Sequence, residues 1–175
     1  MSIFKIPGEK IVLKDIVEND INDYHKWFTE ELEWTKWDAP WEKMDMEFKK
    51  KYISKLSTEI INGMSKTRKR MEIYYNDKHL GWVSSYHKKN NQLAAGIIIA
   101  EEQYWGRGLG REIFGIWVDY LFENHKIDEL FCDTWSGNVR MINLALRTGF
   151  TIIDNREIII VNENEYQRVK LRKEV

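Results

Sequence analysis

Apolar and polar positions alternate over residues 11–17, which predicts a strand, and the rhythm then lengthens to a helical repeat. Asp20 and Asn22 offer caps for a helix that carries Tyr24, Trp27, Phe28 and Leu32 on one side. The pattern breaks between Trp34 and Trp41 and resumes as a helix over residues 45–61. Residues 71–75 and 80–87 read as a hairpin turning at Asn76-Asp77, and a further strand, residues 92–100, runs through Ile97, Ile98 and Ile99. A glycine-rich turn follows, then the strongest helical stripe of the chain, made by Leu109, Ile113, Phe114, Trp117, Tyr120 and Leu121. Residues 130–134 form a short strand and residues 139–147 a helix stopped at Gly149. The last quarter alternates as two strands, 150–161 and 166–172, joined through Asn162-Glu163-Asn164. The order β, α, α, three β, α, β, α, β, β predicts an α/β domain whose sheet is mostly antiparallel, with one parallel crossover in its middle.

Composition narrows the function classes. The chain has 175 residues, enough for a single domain over 1–175, and 43% hydrophobic residues exclude a disordered tail protein. Twenty-seven basic residues against 28 acidic ones, a net charge of -1, argue against nucleic acid as a partner. The densest basic run, residues 66–70, reads as a solvated face or turn. No apolar run approaches the ~20 residues that span a bilayer, and no signal peptide opens the chain, so a soluble cytoplasmic protein without a membrane partner is expected. Cys132 is the single cysteine; it permits neither an internal disulfide nor a four-cysteine zinc site and reads as a buried strand residue.

The informative stretch is Gln103-Tyr104-Trp105-Gly106-Arg107-Gly108-Leu109-Gly110-Arg111. Alternate glycines let the backbone turn tightly, and no β-carbons block a ligand. Free amides of the first helical turn then point outward with the positive end of the helix dipole, which suits a pyrophosphate, and Arg107 and Arg111 add charge. The plain alternative is a strand-to-helix turn that binds nothing. A Walker loop is excluded because no Gly-Lys precedes Ser or Thr, and a dinucleotide fingerprint because Arg111 stands where its third glycine belongs.

On these residues the chain resembles the Gcn5-related N-acetyltransferase superfamily, nearest to its branch acting on ribosomal-protein N-termini and polyamines. That family binds acetyl-coenzyme A with a Gln/Arg-x-x-Gly-x-Gly/Ala loop. Two registers fit, Gln103-x-x-Gly106-x-Gly108 and Trp105-x-x-Gly108-x-Gly110; in the second, Trp105 fills the usual Gln/Arg slot. A second segment, from Asn138 to Gly149-Phe150, is similar to the family's stretch that opens with Asn and closes with Gly-Phe.

The resemblance implies a mixed, mostly antiparallel sheet of about seven strands with helices on both faces. It implies acetyl-coenzyme A as co-substrate, no metal, and transfer to a primary amine of a small molecule or a protein N-terminus. A coenzyme-binding sensor or interaction module without catalysis is the alternative. The main chain of Ile97, Ile98 and Ile99 is expected to meet thioester and pantetheine, the isoleucine side chains being core. The turn from Trp105 to Arg111 (Gly106, Arg107, Gly108, Leu109, Gly110 between them) is expected to hold the phosphates. Asn138 is expected to bind the pantetheine arm, cap a helix, or do both. The tyrosine that many members place seven residues beyond that asparagine is Ala145 here, which leaves Tyr104 or water as proton donor. Glu101 and Glu102 are candidate proton relays, with a solvated strand end as the plain alternative, and His87 is a weaker candidate. On the acceptor side, Trp34, Trp37, Asp38 and Trp41 form an aromatic and acidic cluster suited to a cationic amine, unless the tryptophans only pack helices on the sheet. Pairing into a homodimer through the sheet or the tail strand is compatible with the pattern.

Overall fold

Two consecutive residues with left-handed backbone, Asn76 (φ 46°) and Asp77 (φ 60°), turn the chain between β3 (Arg70–Tyr75) and β4 (Lys78–His87), as the asparagine-aspartate pair predicts. The computed structural model describes residues 2–175. Before this hairpin come β1 (Lys5–Pro7), β2 (Ile11–Lys14), α1 (Asp20–Thr29) and α2 (Met46–Asn62); after it come β5 (Leu93–Ile99), α3 (Leu109–Asn124), β6 (Glu129–Trp135), α4 (Val139–Arg147), β7 (Thr151–Asp154), β8 (Ile158–Val161) and β9 (Asn164–Glu174).

The strands join in the order β1-β2-β3-β4-β5-β6-β9-β7, with β8 on β9, and β5-β6 is the parallel pair. Nine strands form rather than about seven, for two local reasons. Lys5–Pro7 adds an edge strand, a position that tolerates Pro7 and its missing N–H. The expected strand over residues 150–161 is broken where the Asp154 carboxylate accepts the Arg156 amide (3.1 Å), a local turn that splits it into β7 and β8.

Alternation along the strands feeds two cores. Leu13, Ile73, Val83 and Leu171 face α3 and α4, while Trp82 faces α1 and α2 with Tyr24, Trp27 and Phe28. Ile97 and Ile99 pack toward the first core and Ile98 toward the second, so the side chains of the triple isoleucine are core, as expected. Leu32, expected on the buried side of the first helix, lies past its end and is 39% exposed. The basic run is the expected turn, with Lys66 and Lys69 exposed, but its arginines are not solvated: Arg68 pairs with Asp15 (2.8 Å) and Arg70 with buried Glu72 (3.0 Å).

Beneath α1 lies a buried ionic network. The Glu72 carboxylate accepts from the Tyr24 hydroxyl (2.6 Å) and meets His79 Nε2 (2.8 Å), while His79 Nδ1 faces Asp23 (2.9 Å). Burial opposes charge on His79, but the hydrogen bonds to Asp23 and Glu72 outweigh it and raise its pKa to about 9.

Candidate active site

The parallel pair β5-β6 is registered only at Ala94 opposite Phe131. Beyond that point the strands part, and a cavity of about 810 Å³ opens between them, lined by Ala95 to Ile99 on one side and Cys132 to Thr134 on the other. Ile98 sits opposite Trp82 of β4, and the amide of Ala100 donates to Leu80 across the same pair. By two-residue alternation the main-chain groups of Ile97 and Ile99 face the opening. The Ile99 carbonyl accepts the Trp105 indole N–H (2.7 Å), in keeping with that phase.

At the cavity's other edge the glycine turn enters α3. Gly106 (φ 72°) and Gly108 (φ 78°) are left-handed, a conformation that L side chains resist. A β-carbon on either would meet nothing within 4 Å, so the space ahead of the turn is open. Gly110 lies inside α3, where a β-carbon would stand 3.5 Å from Leu144, an ordinary contact. The requirement for glycine is therefore conformational at 106 and 108 and absent at 110. The amides of Gly106, Arg107 and Gly108 have no backbone acceptor among the described residues. Arg107, Arg111, Arg140 and Arg147 all line the cavity, and none has a carboxylate partner among the described residues. Open donors, four unneutralised guanidiniums and a helix N-terminus form a donor set that fits linked phosphates.

Opposite this turn, the 3₁₀ turn Glu33–Lys36 and the loop after it bring Trp34, Trp37, Asp38 and Trp41 to the same cavity. Trp34 is mostly core, 4% exposed, with its indole N–H on the Trp27 carbonyl (2.9 Å). The Trp37 carbonyl accepts two donors from across the cavity, Trp135 Nε1 (2.9 Å) and Asn138 Nδ2 (3.0 Å). Asn138 also caps α4, its Oδ1 accepting the Met141 amide (3.1 Å). Arg140 lies 4.6 Å from the Trp37 ring and 4.5 Å from the Trp105 ring, clasped between the two loops. Asp38 is exposed to the cavity, yet the walls around it shield it from bulk water, and this desolvation, with the charge of Glu42, holds its carboxyl up at about 6.

Among the expected site residues, Trp34, Trp37, Asp38, Trp41, the three isoleucines, Asn138 and every residue from Tyr104 to Arg111 line this one cavity. Glu101 and Glu102 do not. Glu101 is not a solvated strand end but fully buried, accepting from Trp27 Nε1 (2.9 Å) and Gln103 Nε2 (2.7 Å) and pairing with Lys26 (3.4 Å). Burial works against its charge, yet those bonds hold its carboxyl below the usual range, so it is a saturated structural ion. Glu102 opens the 3₁₀ turn Glu102–Tyr104 and is exposed outside the cavity, as is His87 at the end of β4. The Cys132 thiol reaches the cavity wall but is pushed up to about 12 by burial, an unreactive state. Ala145 is buried in the core between α3 and α4, so no protic group replaces the missing tyrosine there. The cavity also gathers residues the sequence pattern did not single out, chiefly Glu42, Phe48, Tyr52, Trp82 and Arg140. Only Phe48 and Tyr52 carried a signal, their one-turn spacing on α2.

A parting of two parallel strands beside a left-handed glycine turn and a helix N-terminus defines an α/β domain built to hold a phosphorylated carrier along a sheet. The chain belongs to the acetyltransferase (GNAT) family, whose domain model matches residues 10–151, and it is an acetyltransferase with acetyl-coenzyme A as co-substrate. Its fold is similar to that of RimL, a ribosomal-protein alpha-N-acetyltransferase solved with coenzyme A (14% identity, 98% of each chain, TM-score 0.75). It is similar too to a spermidine N-acetyltransferase from Vibrio cholerae solved with CoA and spermine (14% identity, 93% of this chain and 94% of that one, TM-score 0.70). A GNAT-family acetyltransferase from Bacillus anthracis superposes equally fully (11% identity, 98% of each chain, TM-score 0.71). No helix among the described residues is long and apolar enough to cross a membrane.

Proposed function

We propose that the protein acetylates a primary amine, the two substrates meeting where β5 and β6 part. The observation that carries this reading is the convergence on one cavity of the glycine turn with its unpaired arginines and, opposite, the Trp37-Asp38 loop. Similar structures that hold coenzyme A, and in one case spermine, support a thioester and an amine as the reacting pair.

In this reading the amides from Gly106 to Leu109, with Arg107 and Arg111, bind the linked phosphates. Acetyl-coenzyme A supplies an acyl group already activated as a thioester. The Ile97 N–H, free of β4 and facing the opening, is the donor available to the carbonyl oxygen as it becomes negative. An ordinary alkylamine near pKa ~10.4 is protonated at neutral pH and cannot attack, so the acceptor must lose a proton in the cavity. With Glu101 and Glu102 turned away, Asp38 takes that role: it pairs the ammonium, accepts its proton and returns it to solvent through the cavity mouth. Trp37 and Trp41 offer ring faces to the same cation. As nitrogen bonds to the acetyl carbon and the C–S bond breaks, Tyr104 or water protonates the departing thiolate, and the second proton of the attacking nitrogen restores that donor.

Mixing the protein with acetyl-coenzyme A and a panel of primary amines, and following free thiol, tests the reading; the expected result is amine-dependent thiol release. Calorimetry that finds no affinity for coenzyme A with folded protein would overturn it.

A further inference from the structure

The acceptor half of the cavity is unlike the coenzyme half, and its composition narrows the acceptor proposed above, on which this inference rests. Phe28, Trp34, Met44, Phe48, Tyr52 and Trp82 wall it. Phe48, on the first turn of α2, is apolar yet 42% exposed, and its ring stacks on Tyr52 at 6.0 Å between centroids. An exposed ring inside a concavity, backed by a second ring, is a surface that gains from being covered. Two carboxylates open on the same half, Asp38 and Glu42, close enough for Glu42 to act on Asp38, and neither has an ion-pair partner among the described residues. The third acidic lining residue, Asp133, is neutralised by Lys88 (2.8 Å). The Trp37 indole N–H, buried and without a partner, belongs to the same loop as Asp38.

We infer that the acceptor is a monocation, its primary ammonium paired by Asp38 and Glu42 and its body an aromatic or branched apolar group lying on the Phe48–Tyr52 shelf. A polyamine would push its further ammonium groups toward Arg140, which also lines the cavity and has no carboxylate partner among the described residues. A polyhydroxylated sugar amine would strand its hydroxyls against the same rings, and an unpaired buried hydroxyl costs more than its contacts return. A ring or branched chain adds no hydroxyl or second charge that would go unmatched there. Two sources carry this chemistry, a small arylalkylamine and a peptide whose first residue is aromatic or branched.

The test measures thiol release from acetyl-coenzyme A by the full chain with phenethylamine, a phenylalanyl dipeptide amide, butylamine, spermidine and an aminoglycoside. One of the two ring-bearing amines should exceed butylamine and spermidine at least about tenfold in kcat/KM, the gain of burying one ring, and which one does so distinguishes free amine from peptide. Phe48→Ala should raise KM for that amine about tenfold, raise it clearly less for butylamine, whose shorter chain covers less of the shelf, and leave coenzyme A affinity intact. Spermidine or the aminoglycoside matching the ring-bearing amines would overturn the acceptor class while leaving acetyl transfer standing. So would Phe48→Ala slowing every amine alike. No thiol release with any amine, coenzyme A binding being intact, would instead overturn the acetylation reading beneath it.

Discussion

The two halves of the cavity are made of different material. The coenzyme half is chiefly backbone, flanked by arginines: two left-handed glycines, the first amides of α3 and the main chain of β5 where it leaves β6. The acceptor half is side chain: rings from α1, α2 and β4 and two carboxylates on a loop, resting on the Arg70-Glu72-His79 network below. Main-chain donors can serve one ligand through many changes of sequence, because every residue carries them. A wall of side chains changes with each substitution. The contrast assigns conservation of chemistry to one half and choice of partner to the other, and the halves should fail separately under mutation.

The largest expected effect tests whether the acceptor half depends on the charges under it. Glu72→Gln leaves Arg70 buried without its counter-ion and His79 with only the aspartates on its Nδ1 side, and should cost about 3–5 kcal/mol of stability, read by chemical denaturation. The same network gives a pH signature. Because the pKa of His79 is raised to about 9 on folding, its contribution is fully present below ~6.5 and is lost as pH rises through about 9. Melting temperature should fall across that window in the wild type, and less so in His79→Gln.

Next, Asp38→Asn should lower kcat/KM about a hundredfold, the scale of a general base, with coenzyme A affinity untouched. The wild-type rate should rise with pH through about 6 as Asp38 ionises, and that limb should vanish in the variant. Equal loss of coenzyme affinity would break the division between the halves. Gly108→Val forces a β-branched residue into φ 78°, a strain of about 1–3 kcal/mol, and should weaken coenzyme A binding about tenfold to a hundredfold by calorimetry. The smallest effect belongs to Arg140→Ala. Losing a cation clasped by two rings should cost about 1 kcal/mol, divided between coenzyme and acceptor affinity because Arg140 touches both loops.

The backbone half was legible in the sequence because left-handed φ values leave a trace in residue type: alternate glycines before an apolar stripe admit few explanations. The parting of β5 from β6 was not legible, since no residue marks where two strands cease to pair; the family resemblance singled out only the main chain of Ile97 to Ile99. The acceptor loop was legible as composition, four informative residues in eight, but its geometry was not. Glu101 reads as an exposed strand end until the fold brings Trp27 and Lys26 over it from α1, a contact spanning 74 residues in the case of the indole. Glu72 and His79 lie on adjacent strands whose register includes an irregularity at Ile73/Tyr74, so their meeting could not be counted along the chain. The split between β7 and β8 had a visible cause in Asp154 and Arg156, which the alternation of the flanking isoleucines masked.

The Trp37 carbonyl, tied to Trp135 and Asn138, joins the two sides of the cavity through a single atom. A carrier that draws on the remaining hydrogen of the Asn138 amide bears directly on the clasp that keeps the opposing loop in position. Whatever free energy passes through that joint must be the same in both directions, so an amine seated against Asp38 alters the grip on the carrier by the factor with which the carrier alters the grip on the amine.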